Sequence, residues 1–152
     1  MPVAGHAVSM RYLGDVKLLF LAVVVTIAAL LAAEIPTIEP KDMAAQLAGS
    51  GSKAVFHVGP SVLYRSRHIP GAIDVGMTSK PESLEALRTA AGKLSRDREV
   101  FLYCGCCPWD RCPNVKPAIA LLREMGFEKV KAVYLPQNFK SDWIDRGYPV
   151  VP

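Results

Sequence analysis

No cysteine lies outside residues 104–112. A disulfide framework spread along the chain is thereby excluded, and four thiols packed into nine residues point to a site. No run of one charge dominates either. Eighteen Lys and Arg stand against fourteen Asp and Glu, a net charge of +4, so the electrostatic footprint of a nucleic-acid binder is missing. Eleven Gly and twelve Pro, scattered, are too few for a fibrous or low-complexity chain. With 152 residues and no internal repeat, the chain has no room for two domains of ordinary size.

What is present begins with one apolar run. Leu18–Ala33 reads LLFLAVVVTIAALLAA, with Thr26 its only polar side chain. Arg11 and Lys17 before it and Glu34 after it orient the N-terminus toward the cytoplasm. Its sixteen residues fall between a signal-peptide core and a spanning helix. Residues 1–33 are therefore expected to be a signal peptide or a membrane anchor, and an uncleaved segment would hold the protein to the membrane. A buried core helix fits less well, because no polar face interrupts the run. Both leading readings place residues 34–152 outside the cytoplasm, periplasmic or membrane-anchored.

Beyond Glu34–Thr37, read as a linker, the pattern alternates. A short helix is expected from Pro40 to about Gly49, a strand over Lys53–Val58 and another over Ala72–Val75. Ser79 and Glu82 have capping-box spacing, and Leu84, Leu87, Ala91 and Leu94 repeat as one helix face. Glu99–Tyr103 (EVFLY) reads as a strand buried on both faces. Asn114 is expected to cap a helix carrying Val115, Ala118, Ile119, Leu122 and Met125, stopped by Gly126. A strand over Lys129–Leu135 and a short helix over Phe139–Arg146 complete an α/β domain with a mostly parallel central sheet.

The carboxyl end of a strand facing a helix N-terminus is where such sheets place ligands and nucleophiles. Cys104 follows the EVFLY strand directly. There the unpaired N–H groups and partial positive charge of the next helix favour thiolate, with Arg111 and Lys116 adding positive charge. The backbone from Gly105 onward is the candidate cradle for an anionic substrate. Trp109 is placed to shield the site or to pack its loop, and His57 ends a strand on the same side.

Tyr64 followed by His68-Ile69-Pro70-Gly71-Ala72-Ile73 resembles the rhodanese (sulfurtransferase) signature. Tyr103-Cys104, Gly126-Phe127, Trp143 and Gly147-Tyr148-Pro149-Val150 follow in rhodanese order, over nearly all of residues 37–152. The resemblance implies a rhodanese-like fold for residues 34–152, with helices on both faces of the sheet. It also implies a cysteine that carries sulfane sulfur as a persulfide, here Cys104 by the strand position, with Cys106 and Cys107 as alternatives presented by the loop. The partners it implies are a small anionic sulfur donor and a thiol acceptor. Departures are plain: His57-Val58-Gly59 stands where most rhodaneses have Asp-Val-Arg, and Asn138-Phe139 replaces the usual Gly-Gly. The helix start at Asn114, ten residues after Cys104, makes the active-site loop longer than usual and fills it with cysteine.

Other readings of the cluster are a thiol–disulfide couple and a structural staple in a non-catalytic module, since four close thiols pair readily in an oxidising compartment. Four thiolates also suit Zn or Cu(I), but Cys-x-Cys-Cys-x4-Cys is no standard zinc spacing. No metal and no cofactor is assigned from the sequence. The Cys-x5-Arg cradle of rhodanese-like phosphatases is absent, because Cys106 gives Cys-x4-Arg and Cys104 stands seven before Arg111.

Overall fold

The structure, a computed structural model, describes residues 35–152, so the apolar segment Leu18–Ala33 and the signal or anchor expected there lie outside the described residues. In chain order the elements are β1 (Thr37–Ile38), α1 (Pro40–Ala48), β2 (Lys53–His57), α2 (Ser61–Ser66), β3 (Ala72–Asp74), α3 (Pro81–Gly92) and β4 (Glu99–Tyr103). A 3-10 turn (Trp109–Arg111), α4 (Val115–Glu124), β5 (Val130–Val133) and a π-helical turn (Lys140–Ile144) complete them. Among the described residues no helix is long and apolar enough to cross a membrane.

The strands form one sheet in the order β1-β5-β4-β2-β3, and every pairing is parallel. β4 is central, which explains its uninterrupted apolar sequence: helices cover it on both sides. The period of two sorts the side chains. Val100, Leu102 and Cys104 face the layer built by Leu87 and Ala91 of α3 and by Val115, Ala118, Ile119 and Leu122 of α4. Phe101 and Tyr103 face the opposite layer, with Met43 of α1, Ile69, Phe139 and Trp143. Cys104 thus leaves the central strand on the α4 side, beneath that helix's N-terminus.

Several local expectations are corrected. Thr37 and Ile38 of the supposed linker pair with Ala132 and Val133 as an edge strand. The capping box at Ser79 does not form: α3 starts at Pro81 behind Lys80, with no side-chain cap. Asn114 does stand at the head of α4, yet its side chain makes no capping bond. Helix α2, six residues with none buried, carries no apolar periodicity in the sequence. The last helix is confined to the π turn, anchored by buried Trp143, whose Nε1–H donates to the Pro149 carbonyl at 2.9 Å.

The His68-Ile69-Pro70-Gly71-Ala72 segment makes a structural turn. Its His68 stacks on Tyr64 at 3.8 Å between centroids and bridges to Val151, while the Tyr64 hydroxyl donates to the Ala72 carbonyl at 2.7 Å.

Candidate active site

The site forms where β4 ends. The backbone reverses at Gly105, whose φ of +73° lies in the left-handed region that glycine adopts at little cost. In an extended strand the side chains of residues i and i+2 stand roughly 7 Å apart. The turn at Gly105 instead brings Cys104 Sγ and Cys106 Sγ to 3.2 Å, and Cys107 Sγ lies 3.0 Å from Cys106 Sγ. The loop then folds into its 3-10 turn, where the Cys112 N–H donates to the Trp109 carbonyl. That returns Cys112 to the strand end, and the sulfurs of Cys104, Cys106 and Cys112 all lie within 4.8 Å of one another.

Burial grades these thiols. Cys104 is 4% exposed, Cys107 and Cys112 are half-buried, and Cys106 is exposed. Cys106 lines a cleft of about 640 Å³ with Leu63, Arg67, Phe139, Lys140 and Ile144. A second depression, of about 520 Å³ beside Asp97, Arg98, Glu99 and Lys129, lies at the opposite end of the sheet. Cys106 thus brings the cluster to the first cleft, and no cysteine lines the second.

Asn114 orders the cluster. It is 1% exposed, and its Oδ1 accepts the Ser79 N–H at 3.1 Å while its backbone carbonyl accepts the Thr78 hydroxyl at 2.6 Å. The side-chain amide is thereby aimed at sulfur: Nδ2 lies 3.3 Å from Cys104 Sγ and 3.9 Å from Cys106 Sγ. Sequence reasoning placed Asn114 correctly as the head of α4 but assigned its side chain to the helix.

The electrostatics divide the thiols. Hydrogen bonding to Cys112, reinforced by burial, pushes the Cys104 thiol above its ordinary range, against the Cys106 backbone N–H and the Asn114 amide. The same contact with Cys104 brings Cys112 down to about 5, with the backbone N–H groups of Asn114 and Val115 at the α4 N-terminus helping to offset its burial. Burial and the neighbouring sulfur of Cys106 push Cys107 up to about 12. Negative charge in the cluster thus settles first on Cys112, a residue the sequence reading did not single out.

His57 is 1% exposed and lies 2.8 Å through Nδ1 from the Asp74 carboxylate. The register of β2 against β3 sets these two residues opposite each other. Burial lowers the His57 pKa more than Asp74 and the Cys104 carbonyl raise it. Burial would raise Asp74, but hydrogen bonds from Ser61, His57 and the Gly76 N–H hold its carboxyl below the usual range. Gly59 closes the near wall: a Cβ there would stand 2.9 Å from the Cys104 carbonyl and 3.0 Å from both Cys104 Sγ and His57 Nε2. The room that an arginine would need beside the cysteine is filled by backbone and imidazole.

The other expected site residues are less close. Arg111 and Lys116 are exposed, and among the described residues neither is hydrogen-bonded to a cysteine sulfur. Of the loop amides, that of Cys106 turns toward Cys104, whereas those of Trp109 and Arg111 donate to the carbonyls of Pro136 and Pro108. Trp109 packs edge-on against Tyr134, 5.3 Å between centroids, and fastens the loop to the end of β5. Asp74, Thr78, Ser79 and Cys112 are the site's unforeseen members, and all depend on contacts between distant segments.

The family model for the rhodanese-like domain matches residues 39–135. Among solved structures, the rhodanese-like domain of the Alr3790 protein from Anabaena sp. superposes with a TM-score of 0.58 at 22% identity, covering 78% of this chain and 80% of that one. The single-domain sulfurtransferase RDL2 of Saccharomyces cerevisiae gives a TM-score of 0.56 at 17% identity, covering 76% and 94%. No curated protein sequence matches the chain.

Proposed function

The chain belongs to the rhodanese-like domain family, and from that premise we propose that it transfers sulfane sulfur through a persulfide on Cys104. The observation that carries this reading is the place of Cys104 at the carboxyl end of the central strand, its sulfur 3.3 Å from the fixed Asn114 amide and faced by the Cys106 N–H. Both donors favour negative charge on that sulfur, against the Cys112 contact and the burial that push its thiol up.

In the first half-reaction Cys104 passes its proton to the Cys112 thiolate beside it and attacks the outer sulfur of a small anionic donor such as thiosulfate. A sulfur–sulfur bond forms on Cys104, the donor's own sulfur–sulfur bond breaks, and sulfite leaves with the electron pair. In the second, a thiophilic acceptor such as cyanide or a thiolate takes the outer sulfur, and Cys104 recovers its thiolate. Arg67 on the rim of the Cys106 cleft, with exposed Arg111 of the loop and exposed Lys116 in the first turn of α4, gives the approach a positive field for anions.

Individual Cys→Ala variants assayed for thiosulfate-to-cyanide transfer test the reading. Loss confined to Cys104→Ala supports it; loss confined to Cys106→Ala or Cys107→Ala moves the carrier to the loop. Retention by all four variants, or an inactive reduced wild type, ends it.

The apolar run and its flanking charges support an exported domain, with residues 34–152 outside the cytoplasm. Acceptors are then exported thiols or small anions. A fusion of residues 1–40 to alkaline phosphatase, active only outside the cytoplasm, reads the topology. An active fusion supports export, and an inactive one expressed at normal level refutes it.

A further inference from the structure

We infer that Cys104, Cys106 and Cys112 form a three-sulfur site for one soft, low-coordinate d10 cation, and that Cu(I) is the ion it fits. The inference goes beyond sulfur transfer and does not rest on it.

The geometry comes first. The three sulfurs lie within 4.8 Å of one another, with Cys104 and Cys106 at 3.2 Å. Three sulfurs around a central ion at about 2.3 Å would stand about 4 Å apart, a spacing inside that range. Two separate backbone devices bring them together: the left-handed turn at Gly105, and the 3-10 turn that returns Cys112 to the strand end. Pro108 and Pro113 bracket the second device and limit the loop's freedom to spread the sulfurs.

Ligand number selects the ion. Thiolate is soft and suits Cu(I) and Zn(II) alike, but structural zinc sites close with four ligands. Among the described residues no fourth His, Cys, Asp or Glu atom joins this set. Cys107 touches Cys106 at 3.0 Å yet falls outside it, and His57 Nδ1 is occupied by Asp74. A cation content with three thiolates fits; a structural zinc ion would lack its fourth protein ligand.

The surroundings are built for sulfur ligands. The buried Asn114 side chain, fixed from behind by Ser79, directs its amide N–H groups at both Cys104 and Cys106. Outer hydrogen bonds of this kind hold ligands in place and tune affinity. Exposed Cys106 gives the ion an entry path to buried Cys104. On binding, each sulfur joins as a thiolate, any proton it still carries passing to solvent, and forms one sulfur–copper bond; no electron is transferred.

The test titrates the reduced full chain with Cu(I) under anaerobic conditions, against a competing Cu(I) chelator, following the ultraviolet thiolate-to-copper band. One Cu(I) per chain is expected, lost in Cys104→Ser, Cys106→Ser and Cys112→Ser and unchanged in Cys107→Ser. Asn114→Ala is expected to weaken binding by about tenfold. Far-UV circular dichroism checks each variant's fold; if Cys104→Ser fails to fold, the exposed Cys106→Ser variant decides. The inference is overturned if no one-to-one complex forms, if Cys107→Ser loses the ion as fully as the others, or if Zn(II) is held more tightly than Cu(I). No arm reads sulfur transfer, so failure of the metal site and failure of the persulfide reading are told apart.

Discussion

The Asn114 amide nitrogen lies 3.3 Å from the Cys104 sulfur, and its direction is fixed from the other end of the same side chain by the Ser79 N–H on Oδ1. One buried residue thus ties the head of α4, the approach to α3 and the end of β4 together. Asn114→Ala removes the donor to sulfur and leaves the Ser79 N–H without its acceptor. The expected cost is about 1–3 kcal/mol of stability, the penalty of an unmade buried hydrogen bond, together with slower thiosulfate-to-cyanide transfer. Urea denaturation and the assay check the two effects separately.

Gly59 is required for space rather than for its backbone angle. A methyl group there meets the Cys104 carbonyl at 2.9 Å and both the Cys104 sulfur and His57 Nε2 at 3.0 Å. Buried backbone cannot give way cheaply, so Gly59→Ala is expected to cost about 1–3 kcal/mol through overpacking. It also displaces the sulfur from Asn114. Transfer activity should fall by more than the loss of folded protein explains, as measured on samples matched for folded fraction.

Asp74 sets part of the acid limb of stability. Its carboxyl titrates below the ordinary range in the folded chain because Ser61, His57 and the Gly76 N–H outweigh its partial burial. A carboxylate with a depressed folded pKa stabilises fully above its unfolded value, about 3.9, and that contribution is lost as pH falls through the folded value. The wild type is therefore expected to lose stability below about pH 4, and Asp74→Asn to lose less over the same interval. Melting temperatures of both proteins between neutral and acid pH show whether the two curves converge.

Trp143 anchors the end of the chain. It is fully buried, stacks on Phe139 at 6.0 Å between centroids, and donates to the Pro149 carbonyl. Trp143→Ala is expected to cost about 3–5 kcal/mol. Because Phe139 packs against both Trp143 and the Gly105 turn, the loss should also loosen the cysteine loop. Faster alkylation of Cys104 in this variant is the check.

The sheet was legible because its strongest signal is local. EVFLY sits centrally and ends at Cys104, and parity alone puts that residue on the α4 face. Helix α4 was legible from its apolar face and from Gly126, which takes the left-handed conformation just past its end. Shorter elements were not: β1 has two residues, and α2 has six with none buried, too few for a periodicity to show. Within the site, Asn114 illustrates the limit. Its residue type signals a cap, but the choice between capping α4 and reaching the sulfur is settled by Ser79 and Thr78, more than thirty residues earlier. Cys112 was passed over for the same reason. Its return to Cys104 depends on a 3-10 turn inside the loop, and no spacing rule reports that distance.

Sulfur on Cys104 can be weighed directly. The most direct test treats the reduced protein with thiosulfate, removes small molecules, and measures intact mass and the Cys104 peptide. A protein heavier by one sulfur atom is expected, with the added atom on Cys104 and removable by cyanide or reductant. An unchanged mass, an added sulfur confined to another cysteine, or a loss of two hydrogens marking a disulfide would contradict it.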